Sequence, residues 1–119
     1  MTAIVASAAA RSRPSTPRSR TLAAPDLLRV DVLSVIRRHV ASGTLDVQQA
    51  NNAVDDLLAL PIAVYPATPL LRRCWELRSN VTAYDACYVA LAEALDVVLL
   101  TADARLANAP GTRCSFQLI

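Results

Sequence analysis

The stretch VTAYDACYVALAEALDVVLLTADARL, residues 81–106, decides the fold class. Residues 83–95 carry only two charges, Asp85 and Glu93, which predicts a helix apolar on nearly every side and therefore buried. VVLL, residues 97–100, is short, unbroken and rich in valine and leucine, the composition of a strand buried on both faces. Residues 102–108 then predict a short helix. A buried helix, a buried strand and a helix in succession are the alternation of an α/β domain with a parallel sheet flanked by helices, in three layers.

The same alternation extends in both directions. Upstream, IAVY (62–65) reads as a strand held between Pro61 and Pro66, and Pro69 to about Ser79 as a helix with Leu70, Leu71, Cys74 and Trp75 inward and Arg72, Arg73, Glu76 and Arg78 outward. Thr44 or Asp46 opens a helix to Leu60, with Val47, Ala50, Val54, Leu57 and Leu58 in helical register. Pro25 and Asp26 open another, which runs to Ala41 and stops at Gly43. Leu28, Val32, Val35, Ile36 and Val40 share its broad apolar face, with His39 expected to be buried or at an interface. Downstream, residues 114–118 predict a last strand.

At 119 residues the chain suits one domain, and with 54% hydrophobic and only 4% aromatic residues its core must be aliphatic. Absences exclude whole classes of chemistry. There is no lysine, which removes a P-loop or Schiff-base lysine. Gly43 and Gly111 are the only glycines, so there is no glycine-rich phosphate cradle. His39 is the only histidine, which excludes His-based zinc sites. Cys74, Cys87 and Cys114 lie 13 and 27 residues apart without a C-x-x-C, and read as small buried residues in a reducing cytosol. No uncharged run approaches the ~20 residues of a membrane span, and no cationic region precedes the apolar start that a secretory signal would require.

The formal net charge of +2 conceals a split. Residues 1–20 hold Arg11, Arg13, Arg18 and Arg20 with no acid, and the rest of the chain is mildly acidic. RSRPSTPRSR (11–20) has no apolar residue, so residues 1–23 are expected to be a disordered segment and residues 24–119 the domain.

What chemistry remains lies in the carboxylates. Asp85 begins a buried helix, where it must either help cap the helix with Thr82 or be neutralised by a cation. Asp103 follows VVLL by two residues, at the carboxyl end of a strand, where open α/β sheets place ligands; Thr101 beside it offers the same capping alternative. Asp31 sits inside the first helix at the rim of its apolar face, where no cap explains it. Acids gathered without histidine or a reactive cysteine suit Mg²⁺ or Mn²⁺, hard ions that polarise phosphates and activate water.

APDLLRVDVLSVIRR (24–38), VTAYDACYVALAEAL (81–95) and LLTADARLANAPG (99–111) resemble, in order and spacing, PIN domains of the VapC toxin type, the ribonucleases of bacterial VapBC toxin–antitoxin pairs. The resemblance implies a PIN-like α/β fold, Mg²⁺-dependent endoribonuclease activity in the cytoplasm, a VapB-type antitoxin partner and a homodimer. It also implies a cluster of four acids. The second, third and fourth fall on Asp31, Asp85 and Asp103, as catalytic and metal-binding residues, with Thr82 and Thr101 at the supporting polar positions.

The first does not fall on an acid. The family opens with a strand ending in Asp, whereas the nearest match here, Ile4-Val5-Ala6-Ser7, has Val5 in that place, and the stretch from there to Ala24 is short by most of a helix. Two functions stay open: a ribonuclease toxin impaired by that loss, or a non-catalytic remnant that binds an antitoxin or a second copy of itself. A phospho-receiver, a third acid-cluster domain, lacks its lysine here. Trp75 and Tyr88 are expected to anchor the core or a dimer interface.

Overall fold

The computed structural model describes residues 3–6 and 22–119. Along the chain run β1 (Ala3–Ala6), β2 (Leu22–Pro25), α1 (Leu28–Ala41), α2 (Val47–Ala59), β3 (Ile62–Tyr65), a 3-10 turn (Thr68–Leu70), α3 (Leu71–Glu76), α4 (Ala83–Leu95), β4 (Leu99–Thr101), α5 (Ala104–Ala107) and β5 (Phe116–Leu118). The expected α/β fold with parallel strands is present, in two compact units.

One unit, Leu27–Pro61, is the α1–α2 pair. Gly43 supplies the left-handed backbone (φ +80°) that turns the chain out of α1. Asp46 then starts α2 through a reciprocal cap: its carboxylate accepts from the Gln49 N–H (2.7 Å), and the Gln49 side chain accepts from the Asp46 N–H (2.9 Å). Asp46→Ala is expected to cost about 1 kcal/mol, measured as a shift of the urea midpoint at unchanged slope. Leu28, Ile36, Ala50 and Leu57 are buried. Val47 and Leu58, expected inward, are exposed, as is His39. The buried stripe on each helix is narrower than the sequence pattern suggests.

The other unit is built on a five-stranded sheet in the order β3-β2-β1-β4-β5. β2 runs parallel to β3, and β4 to β5. β1, at the centre, is antiparallel to both neighbours, so the sheet is mixed rather than wholly parallel. The pairing of β1 with β2 and β4 is between strands distant in sequence, so its direction leaves no mark in the local hydrophobic pattern. The expectation that residues 11–20 lack regular structure lies outside the described residues.

LAAP (22–25) forms β2 where the sequence reading has the approach to a helix. Pro25 closes the strand, beyond the residues β1 pairs with, so its missing N–H interrupts no bond to β1. The next N–H, of Asp26, continues the ladder to the Tyr65 carbonyl (2.8 Å). As a result α1 begins at Leu28 rather than at Pro25.

α4 lies against β1, β2 and β4 and is buried from Ala86 through Ala92. Together with Ala24 and Leu99, both fully buried, it forms the centre of an aliphatic core. The expected α4 and β3 are found at their expected residues, and the strand expected at 97–100 is β4, which starts two residues later and ends one later. Cys74 and Cys87 are buried across the α3–α4 contact, with Sγ atoms 3.7 Å apart. Burial and the bond to Cys87 push the Cys74 thiol up to about 12, the behaviour of an inert core residue. Among the described residues no helix is long and apolar enough to cross a membrane.

Candidate active site

The carboxyl end of β4 carries two of the sequence-predicted residues. Thr101 is fully buried, and its hydroxyl accepts a hydrogen bond from the Asp103 N–H (3.0 Å). Asp103 caps α5, its Oδ1 accepting from the Arg105 N–H at 2.9 Å. The Arg105 guanidinium also lies 3.8 Å from that oxygen, but its side chain is 95% exposed and water screens the pair. Asp103→Ala is expected to loosen the start of α5 at a cost of about 1 kcal/mol, seen as faster amide exchange in residues 104–107.

Thr82 and Asp85 form the second pair. Thr82 is the N-cap of α4, its hydroxyl accepting from the Asp85 N–H (3.2 Å), with the Asp85 side chain half-buried in the first turn. At Thr82 the hydroxyl caps the helix as the sequence allows, whereas at the end of β4 the cap is Asp103 itself and Thr101 holds the N–H of that residue.

Asp31 belongs to the α1–α2 unit. With α1 starting at Leu28, Asp31 falls in the first helical turn rather than in the helix interior, and its N–H donates to the Leu27 carbonyl (3.0 Å). All three acids thus occupy the N-terminal cap or first turn of a helix, where the positive end of the dipole favours a carboxylate. Among the described residues, no three His, Cys, Asp or Glu side chains gather closely enough to hold a metal ion.

One charged group escaped sequence reasoning. Arg73, expected on a solvated face, donates twice to the Glu93 carboxylate (Nε–Oε1 2.7 Å, Nη2–Oε2 3.1 Å), and also to Glu76 (3.2 Å) and the Gly111 carbonyl (2.8 Å). Glu93 Oε2 also accepts from the Arg113 N–H (2.7 Å). Burial raises the Glu93 carboxyl, but Arg73 and the Arg113 N–H outweigh it and hold the group below the ordinary carboxylate value. The available signal was Glu93 itself: an acid in so apolar a helix requires a partner.

A PIN-domain family model matches residues 4–111, from β1 to the loop before β5. The chain belongs to the VapC-type PIN-domain ribonucleases. Ribonuclease VapC1 of Mycobacterium tuberculosis is 50% identical over 97 residues, which cover 81% of this chain and 73% of that protein. Ribonuclease VapC9 of the same organism is 37% identical over 95 residues (80% and 75%), and Ribonuclease VapC12 is 36% identical over 102 (86% and 79%). Set against the four acids that the VapC-type resemblance implies, the position in β1 is Val5. The strand direction compounds the loss. Val5 pairs with Leu99 while Ala3 pairs with Thr101, so β1 carries its carboxyl end away from the edge where Asp103 lies. Among the described residues, no group of three such donors is gathered that fits a divalent ion.

Proposed function

We propose that this chain has the scaffold of a VapC-type endoribonuclease toxin of a bacterial toxin–antitoxin system, and that its Mg²⁺-dependent cleavage is impaired. In this reading it works in the cytoplasm, recognises RNA, forms a homodimer and is held by a VapB-type antitoxin. Asp31, Asp85 and Asp103 occupy the family's catalytic and metal positions, supported by Thr82 and Thr101. Mg²⁺, or Mn²⁺ in its place, is the ion that the family's full set of four acids would hold. The single observation that carries the impairment is Val5 in a β1 that runs against its neighbours.

A second reading, a non-catalytic remnant acting only through an antitoxin or a second copy of itself, is favoured by the lack of any three-ligand group among the described residues. Incubating the chain with labelled RNA in Mg²⁺, with and without EDTA, tests the proposal. Little or no EDTA-sensitive cleavage is expected. Robust EDTA-sensitive cleavage would mean that three acids suffice and the site is not impaired.

A further inference from the structure

Trp75 does not occupy the inward place the sequence reading assigns it. It is 65% exposed, on a helix whose neighbouring residues Cys74 and Leu77 are buried. A tryptophan left in water forfeits the largest apolar burial any side chain offers, and an exposed aromatic of this size marks a contact surface more often than a solitary apolar side chain does. Its neighbours indicate the occupant. Arg72, Trp75 and Arg78 are spaced three apart, which keeps them on neighbouring turns of one side of α3 and its continuation, and all three are exposed. The Arg78 guanidinium lies 4.5 Å from the centre of the indole, and its Nη1 donates to the Trp75 carbonyl (3.0 Å), so a cation is already set against one side of the ring.

We propose that Arg72, Trp75 and Arg78 form a docking stripe for single-stranded RNA, with an unpaired base stacked on the Trp75 indole and the two arginines against the flanking phosphates. This rests on the ribonuclease reading and adds to it a surface on α3, an element that carries none of the three candidate acids. Charge complementarity selects the occupant. Neither Arg72 nor Arg78 forms an ion pair with a described carboxylate, and the nearby acid of the same helix, Glu76, is engaged by Arg73 at 3.2 Å. A second copy docked on this stripe through a two-fold axis would set arginines against arginines. A strand of phosphates bearing π-faced bases meets both the charges and the ring, and stacking of this kind tolerates any base.

Trp75 is the only tryptophan in the chain, so its emission reports on the stripe alone. The test titrates the full chain, in EDTA, with a fluorescein-labelled unstructured RNA about ten nucleotides long, within the usual footprint of such surfaces, and with its unlabelled counterpart. Anisotropy reads binding and tryptophan emission reads stacking. Saturable quenching is expected. Trp75→Ala should weaken binding roughly 5- to 150-fold, the loss of one stacked base, and Trp75→Phe should recover most of it. Arg72→Ala and Arg78→Ala should each reduce the slope of log affinity against log salt by about one.

Binding seen by anisotropy with unquenched emission and an unaffected Trp75→Ala would overturn the stripe and leave the ribonuclease reading intact. Absence of binding by either readout would overturn the stripe and count against that reading as well. If Trp75→Ala converts a dimer to a monomer by light scattering without changing RNA affinity, the stripe is a self-association surface and the proposal fails.

Discussion

Replacing Glu93 with alanine is expected to lower stability by about 3 kcal/mol, the lower end of the range for breaking a buried ion pair. For a chain of this size that is about 10 °C in melting temperature. The carboxylate joins three segments: α4 that carries it, α3 through the two bonds from Arg73, and the chain entering β5 through the Arg113 N–H. Its side chain is 12% exposed and that of Arg73 19%, so removing the acid strands a poorly hydrated guanidinium with only Glu76 and the Gly111 carbonyl as partners. The folded-state pKa of Glu93 is depressed, so its contribution is complete above the ordinary carboxylate value of about 4.3 and is lost as pH falls through the lower folded value. Urea unfolding of wild type and Glu93→Gln should therefore differ most near neutral pH and converge in acid. A gap that stays constant with pH would show that the pair acts through shape alone.

Val5→Asp by itself is expected to leave RNA cleavage where it stands. The family acid ends a strand whose carboxyl end adjoins the other acids. Here residue 5 is opposite Leu99, two residues short of Thr101, or roughly 7 Å back along the strand at 3.3 Å per residue. Replacing residues 1–21 with an Asp-terminated strand followed by an amphipathic crossover helix should let β1 pair in parallel with β2 and bring that acid to the Asp103 edge. Losing a group that merely orients a metal ligand typically costs ~10- to 100-fold, and a ligand at least that, so the gain in EDTA-sensitive rate should be of that order or more. Asp85→Asn should then remove it. Full activity from Val5→Asp alone would show that the direction of β1 is immaterial.

Much of this was legible from the sequence for physical reasons that can be named. α4 was readable because thirteen residues with two charges can only be buried, and Thr82 because a hydroxyl three residues before an acid caps a helix. The acids could be located but not their setting. Pro25-Asp26 looks like a helix start and so puts Asp31 in a helix interior; the competing demand, the pairing of LAAP with IAVY, is non-local and invisible in periodicity. The antiparallel course of β1 is a matter of pairing with strands distant in sequence, which no window around β1 contains. Arg73 and Glu93 are twenty residues apart, and only the packing of α3 on α4 makes them partners. The apolar character of Trp75 points it inward, but six helical residues bury too narrow a face to cover it.

In the proposed reading the family's acids persist here in a set that no longer holds a divalent ion. Electron paramagnetic resonance of Mn²⁺ tests it without recourse to activity, because bound ion loses the sharp six-line signal of free ion. With the chain present in excess over Mn²⁺, a signal matching that of buffer alone is expected, with loss of signal only in the chain with the Asp-terminated first strand. A stoichiometric loss of signal with the present chain, reversed by Asp85→Asn, would contradict it.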